Sequence, residues 1–66
     1  MFNTRLHRAR KAAGLSLREL GERVGVSHAS IKKYEDGDAM PSSDILLQLA
    51  RALQVRTEYF LSLIHI

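Results

Sequence analysis

Residues 16–37, "SLRELGERVGVSHASIKKYEDG", carry the pattern from which the fold of this chain can be predicted. Two helical segments lie in this stretch, and only Gly25, Val26 and Ser27 separate them. A link this short predicts that the second helix crosses the first sharply, as in a helix-turn-helix, because it leaves no room for an antiparallel pair. Gly25 suits a positive φ at the turn, and we expect Gly21 to lie where the two helices come closest.

Polar residues mark both helix starts in this stretch. Ser16 is a good N-cap, and Glu19 three residues later completes a capping box. Ser27 is the N-cap candidate of the next helix, which we expect to end near Asp36 in a turn. The predicted buried contacts of the two helices are their apolar residues: Leu17 or Leu20, Val24, Val26, Ile31 and Tyr34.

A helical pattern also precedes this stretch. Leu6, Ala9 and Ala13 recur at helical spacing, with basic residues between them. They predict a first helix from about Asn3 to Ala13, and Gly14 is a typical C-terminal stop.

Two further helices are predicted downstream. Ser42 marks a helix start, and Asp44 falls in the first turn, where the helix dipole favours an anion. This helix carries the broadest apolar stripe of the chain: Ile45, Leu46, Leu49, Ala50 and Leu53. Thr57 is expected to cap a short fifth helix that places Tyr59 and Phe60 either in the core or in a dimer seam. Because no segment alternates with a period of two, we predict an all-α domain of five short helices.

Composition excludes several classes of protein. The 66 residues fit one domain, and the chain has no cysteine for a disulfide or a thiolate metal site. The formal net charge of +3 is by itself a weak argument for a nucleic-acid partner. No apolar run approaches the ~20 residues of a membrane span, and residues 1–10 lack the apolar core of a signal peptide. We therefore expect a cytoplasmic protein without a membrane partner.

No constellation of catalytic or metal-binding residues is visible in the sequence. Ser27 and His28 are neighbours, but no nucleophile–base–acid set accompanies them. His7 and His65 lack partners at metal-ligand spacing, and the two aspartates of the turn after the third helix are too few ligands for calcium. We expect no enzyme activity, no metal, no cofactor and no small-molecule ligand.

Two quoted segments together carry a family resemblance: "GLSLRELGERVGVSHASIKKYEDG", residues 14–37, and "PSSDILLQLARAL", residues 41–53. Their spacing, caps and glycines resemble the phage-repressor and Cro-type (XRE-like) helix-turn-helix family over about residues 6–60. The resemblance implies a repressor-like, sequence-specific transcriptional regulator that binds double-stranded DNA. It also implies a homodimer on the DNA, with the third helix in the major groove.

The resemblance implies which residues read the bases. The base contacts fall to the outward positions of the third helix: His28, Ala29, Lys32 and Lys33. Lysine can donate to guanine, Ala29 can touch a thymine methyl group, and His28 can donate or accept according to its tautomer. A solvated helix face is the alternative reading of the two lysines, which can also serve phosphates as readily as guanines.

Contacts to the DNA backbone are implied at the start of the second helix and around the third: Ser16, Leu17, Arg18, Ser30 and Gly37. The family commonly has a glutamine where this chain has Leu17, so that only the backbone of Leu17 can contribute. Arg18, Arg5 and the turn at Gly37 are expected to substitute for the missing side chain.

The resemblance further implies an ion pair inside the domain. The family pairs an arginine of the first helix with the glutamate near the end of the third, and Arg10 and Glu35 match those positions. We expect this pair to be partly buried, so that removing one partner would leave a buried charge.

The sequence also allows a second function, and its last residues are unusual. The alternative is a protein-interaction module, such as an antitoxin or the N-terminal domain of a larger metal-dependent peptidase regulator. The last residues, "LSLIHI", break the family's pattern and match a translation of the transposon end used to prepare sequencing libraries. We expect a helix-turn-helix domain over residues 1–60 and a non-native read-through tail over residues 61–66.

Overall fold

The structure is a computed structural model and describes residues 2–61. Over this range the chain forms five α-helices and no strand, which confirms the predicted all-α class. The elements are α1 (Phe2–Ala12), α2 (Leu17–Val24), α3 (His28–Asp36), α4 (Ser43–Leu53) and α5 (Thr57–Leu61). Of the expected tail, only Leu61, at the end of α5, lies within the described residues.

The ends of α2 form as the sequence predicts. The Glu19 N–H donates to Ser16 Oγ at 3.0 Å, and the Ser16 N–H donates to Glu19 Oε1 at 2.9 Å, which together make the capping box. At the other end Gly25 takes the left-handed conformation, with φ 79°. Because a left-handed residue reverses the chain direction after the last helical turn, α3 can begin only three residues later.

Serine caps also open α3 and α4. The Ser30 N–H donates to Ser27 Oγ at 3.1 Å, and the Ile45 N–H donates to Ser42 Oγ at 3.3 Å. The helix α4 ends at Gln54, which has a φ of 58° although it is not a glycine. A left-handed helix end without glycine was not foreseen from the sequence.

Several predicted helix boundaries are one residue away from the observed ones. The first helix ends at Ala12, and Ala13 is exposed rather than inward-facing. The cause is the turn that follows, in which the Leu15 N–H donates to the Arg10 carbonyl at 3.2 Å and brings Leu15 into the core. Thr57 is the first residue of α5 rather than its cap.

One hydrophobic cluster holds the five helices together. In the cluster α2 packs on α3 and α4, while α1 packs on α3 and α5. Phe60 is 1% exposed and meets the ring of Phe2 edge to face, with 5.4 Å between centroids. Phe60 is therefore a core residue, whereas Tyr59 beside it is exposed. The buried members of the cluster are Leu6, Ala9, Leu15, Leu20, Val24, Ile31, Leu49, Ala50, Leu53 and Phe60.

Partly buried residues complete the packing at the edges of this cluster. Of the predicted apolar stripe of α4, Ile45 and Leu46 are half-buried. Leu20 is the fully buried leucine of α2, and Leu17 only leans against the cluster. Val26 fills the angle between α2 and α3 in the same half-buried way.

The crossing of α2 and α3 depends on the missing side chain of Gly21. A Cβ atom at this position would lie 2.6 Å from the Val26 carbonyl oxygen and 3.3 Å from the His28 nitrogen. Both are backbone atoms, so neither can move aside as a side chain would. The Gly21 carbonyl also accepts from the N–H groups of Gly25 and Val26, at 2.8 and 2.9 Å.

We expect Gly21→Ala to lower the free energy of unfolding by about 1–3 kcal/mol, the usual cost of forcing extra atoms into a packed site. Alanine has the higher helix propensity, so propensity alone predicts the opposite sign. Urea unfolding followed by circular dichroism measures the difference. Glu22→Ala, on the exposed side of α2, is the matched control. A Gly21→Ala variant as stable as the wild type would contradict the close approach.

Candidate nucleic-acid interface

The third helix has a narrow inner face and a polar outer face. Ile31 is completely buried, and Tyr34 packs half-buried against the same cluster. The four expected base readers are all exposed: His28, Ala29, Lys32 and Lys33. Ala29, Lys32 and Lys33 follow His28 by one, four and five residues, which places all four on one side of the helix. The structure thus brings these four side chains together on a surface that the core does not use.

One of the two lysines on this face is paired. Lys32 Nζ lies 3.1 Å from Asp36 Oδ1, one helical turn further along α3. Both side chains are well exposed, at 61% and 43%. A pair with this exposure contributes little to stability. Its main effect is that Asp36 offsets the positive charge of Lys32 on the outer face of α3.

An open groove adjoins the start of α3. It runs between the end of α1, the start of α2 and the start of α3, and four basic residues line it: Arg10, Lys11, Arg18 and His28. Glu19 is the acidic residue in the lining. A backbone hydrogen bond from Ser16 is the main cause that lowers the pKa of Glu19, with its side-chain hydrogen bond next, so this carboxylate is engaged by the cap. Arg10 is engaged inside the domain, so the exposed cations at this groove are Lys11 and Arg18, and they suit an anion.

The expected backbone-contact residues of α2 lie at the edge of this groove. Ser16 Oγ accepts from Glu19, and the side chain of Leu17 rests against the core. Arg18 is exposed. The first N–H groups of a helix have no acceptor within it, so those of Leu17 and Arg18 are placed to donate to an anion.

The other expected backbone-contact residues lie elsewhere. Ser30 is half-buried, and its Oγ is 3.1 Å from Ser27 Oγ, so its hydroxyl is already engaged at the start of α3. Gly37 ends α3 with a φ of 82°. Since a helix rises ~1.5 Å per residue, Gly37 and Ser30 are separated by most of the length of α3. The residues expected to contact the DNA backbone therefore lie at both ends of α3.

Arg10 and Glu35 are brought together in the interior. Arg10 Nε lies 2.6 Å from Glu35 Oε2, and Arg10 Nη2 donates to Glu35 Oε1 at 3.1 Å. Arg10 Nη1 donates to the Leu15 carbonyl at 2.8 Å. The two side chains are only 10% and 5% exposed. The guanidinium therefore joins α1, the turn before α2 and α3 at one point.

His7 joins this pair, a role that was not expected from the sequence. His7 Nδ1 lies 2.7 Å from Glu35 Oε1. Burial by itself raises the pKa of Glu35, but the hydrogen bonds of Arg10 and His7, together with the positive charge of Arg10, outweigh it and hold the pKa below its usual range. The signal that could have found His7 is its place three residues before Arg10, on the same side of α1.

Arg5 has a different partner from the one expected. Its Nη1 donates to the Tyr59 carbonyl at 2.6 Å, and its guanidinium carbon lies 5.4 Å from the centre of the Tyr59 ring. The expectation that Arg5 substitutes at a phosphate is therefore not favoured, since its side chain fastens α1 to α5. Local sequence could not indicate this contact, because it joins residues 54 positions apart in the chain.

Neither a metal cluster nor a membrane-crossing helix is found among residues 2–61. No group of three or more histidine, cysteine, aspartate or glutamate residues in that range is arranged to hold a metal ion. No helix in the described part of the chain is both long and apolar enough to cross a membrane.

We expect the contribution of Glu35 to stability to depend on pH. Its pKa is lowered by folding, so its stabilisation is present at neutral pH and is lost as the pH falls below about 5. At pH 7, Glu35→Gln should lower the free energy of unfolding by about 1.5–3 kcal/mol, as expected for hydrogen bonds to charged groups. Urea unfolding at several pH values between 3 and 7 measures both effects.

The difference between wild type and Glu35→Gln should shrink towards pH 3. Glu58→Gln, at an exposed position of α5, is the control and should leave the pH dependence of unfolding unchanged. Parallel curves for the wild type and Glu35→Gln over the whole range would contradict the assignment of an ionised, stabilising carboxylate.

Comparison with known proteins supports the same interpretation. The helix-turn-helix family model matches residues 6–60. The chain is 45% identical over 49 residues to the uncharacterized HTH-type transcriptional regulator Rv0474 of Mycobacterium tuberculosis, covering 74% of this chain and 35% of that protein. It is 35% identical over 51 residues to the cryptic phage CTXphi transcriptional repressor RstR of Vibrio cholerae, covering 77% of this chain and 46% of that protein. The chain thus spans less than half of either relative.

A solved structure shares the whole arrangement of helices. The P22 c2 repressor protein, crystallised in complex with the synthetic operator 9T, superimposes with a TM-score of 0.88 at 32% sequence identity. The superposition covers 91% of each chain. Because the family match extends over most of the sequence, and relatives and structure agree with it, this chain belongs to the helix-turn-helix family that includes the phage repressors.

Proposed function

We propose that this domain is a sequence-specific DNA-binding transcriptional regulator of the repressor type, with α3 in the major groove. The observation that carries the proposal is the outer face of α3, where His28, Ala29, Lys32 and Lys33 are exposed together. The inner side of α3 packs through the buried Ile31 and the half-buried Tyr34. Its outer face is therefore available to a groove of DNA.

Each exposed side chain has a chemically suitable base partner. The lysine ammonium groups donate to the O6 and N7 acceptors of guanine, and the Ala29 methyl group fits against a thymine methyl. His28 either donates or accepts, depending on which ring nitrogen holds the proton. Because His28 and Lys33 lie at different heights on α3, they would read different base pairs.

The start of α2 would hold the DNA backbone beside this helix. A phosphate in the groove would meet the N–H groups of Leu17 and Arg18, the Ser16 hydroxyl and the Arg18 side chain. At the ends of α3, Ser30 and the backbone of Gly37 would complete the contacts to the backbone. Contacts of this kind fix the register of the protein and carry no sequence information themselves.

The buried pair of Arg10 and Glu35, with the more exposed His7 bonded to it, would fix the orientation of α3. It fastens the last turn of α3 to α1 through bonds of 2.6–3.1 Å. A reading helix must hold its side chains within a fraction of an ångström of the base edges. The network would supply that rigidity without itself touching DNA.

A dimer is the assembly that this function requires. Regulators of this type bind two-fold operators with half-sites about 34 Å apart, one helical turn of DNA. The proposal is supported by the relative named as a transcriptional repressor and by the repressor solved with its operator. A role on DNA also agrees with a cytoplasmic location.

Selection from a random DNA library, followed by titration of the selected duplex over a range of salt concentrations, tests the function. We expect a selected site with two-fold symmetry and an affinity that falls steeply as salt rises, because phosphate contacts release counterions. The absence of binding to any duplex at low salt would reject DNA recognition. Binding that does not respond to salt would reject the proposed phosphate contacts.

Two substitutions should separate base reading from backbone contact. Lys33→Ala should change the selected sequence at one position and lose about 1–3 kcal/mol of discrimination there. Arg18→Ala should instead weaken binding to all sequences alike and reduce the salt slope by about 1. Arg51→Ala, at an exposed position near the end of α4, is the matched control and should change neither quantity. Equal effects of Lys33→Ala on all sequences would reassign that lysine to a phosphate.

A further inference from the structure

We propose that Asp36 is a specificity-determining residue. At DNA sites where no base edge accepts a hydrogen bond from Lys32, the Asp36 carboxylate stays paired with Lys32 and neutralises its charge. The inference rests on the proposed DNA-binding function and adds to it a residue that discourages binding to the wrong sequences. Asp36 belongs to none of the contact sets described above.

Asp36 lies on the same row of α3 as two of the base-reading residues. His28, Lys32 and Asp36 follow one another at intervals of four residues, which places them along one side of the helix. Lys32 Nζ is 3.1 Å from Asp36 Oδ1, and the aspartate side chain is 43% exposed. The carboxylate therefore sits on the face that would meet DNA, next to the ammonium group that would read it.

The second carboxylate of α3 is placed quite differently. Glu35 is 5% exposed and is held by Arg10 and His7 in the interior. Among the described residues, the acidic charge that α3 presents on its outer row is therefore that of Asp36. Asp38, which follows Gly37, is also exposed but lies beyond the last residue of α3.

Helix stability gives little reason for an aspartate at this position. Asp36 is the last residue of α3, where the partial negative charge of the helix end repels a carboxylate. A lysine four residues before an acid is also the weaker order for an ion pair on a helix. The end of α3 is closed by the Gly37 N–H, which donates to the Lys33 and Tyr34 carbonyls. The side chain of Asp36 is therefore available for a functional role.

The pair changes what Lys32 contributes on different DNA sequences. Against a phosphate, the ammonium attracts and the carboxylate repels, so the pair adds almost nothing to sequence-independent binding. At a correctly placed guanine, the O6 and N7 acceptors take over the hydrogen bond of Lys32. Discrimination between DNA sequences then comes from weak binding at the wrong sites as well as from a favourable contact at the right one.

Lys33 supplies an internal comparison. It stands next to Lys32 on the same face, and within residues 2–61 it forms no salt bridge. We therefore expect the charge of Lys33 to add to binding on any sequence, besides its base contact on the selected one. Lys32 should contribute mainly on the selected sequence.

Asp36→Asn removes the charge and keeps the size of the side chain. The test uses the full chain and measures dissociation constants by fluorescence anisotropy at several salt concentrations. Each variant is titrated with the selected duplex and with a random-sequence duplex of the same length. We expect Asp36→Asn to bind the random duplex roughly three- to fivefold more tightly, with a salt slope steeper by about 1, and the selected duplex nearly as before. The ratio of the two affinities should fall accordingly.

Two controls assign the effect to the Lys32 pair. Asp38→Asn removes a nearby exposed charge and should shift both duplexes by one common factor, leaving the ratio unchanged. In a Lys32→Ala background, Asp36→Asn should no longer change the ratio. Circular dichroism melting shows that each variant is folded under the conditions of the titration.

The outcomes separate this inference from the function on which it rests. If Asp36→Asn leaves the ratio unchanged, matches Asp38→Asn, or acts equally without Lys32, Asp36 does not determine specificity even though the domain binds DNA. If the wild type binds no duplex at low salt, the DNA-binding function fails, and the role of Asp36 fails with it.

Discussion

The arrangement of the helices rests on one close approach, between the backbone of Gly21 and the carbonyl oxygen of Val26. A side-chain atom at Gly21 would stand 2.6 Å from that oxygen, so α2 and α3 could not cross as they do. The same crossing leaves α3 with only a narrow buried side, anchored by Ile31. The exposed row of His28 and Lys32 is thus a consequence of the angle between two helices, and the angle is a consequence of one glycine.

A second constraint keeps the crossed pair in a fixed position against α1. The carboxylate of Glu35 receives Arg10 and His7, and Arg10 also donates to the Leu15 carbonyl. Removing ions from water is costly, and that cost is offset only when the buried groups find good hydrogen-bond geometry. Here the hydrogen bonds of Arg10 join three separate segments, so this polar contact fixes the orientation of those segments as well as stabilising them. The paired Lys32 and Asp36 on the outside have the opposite character, because solvent leaves them free to exchange partners.

Prediction from the sequence was accurate where the determining contacts are short in sequence. The capping box at Ser16, the left-handed Gly25 and the serine cap at Ser27 each involve residues within four positions of one another. It was less accurate where a turn sent the chain inwards. Leu15 follows a glycine and lies outside any helical pattern, yet the turn buries it, while Ala13 in the pattern stays exposed. Periodicity describes the helix itself and carries no information about where the following loop leads.

The five helices, their caps and the sharp turn between the second and third follow from local sequence, because they depend on hydrogen bonds between near neighbours in the chain. Which distant side chains meet depends on the packing of the helices. His7 meets Glu35 across 28 positions, and Arg5 meets Tyr59 across 54. Such contacts depend on how far each helix is rotated when its apolar side enters the common core, and that rotation is settled only when all five helices pack together.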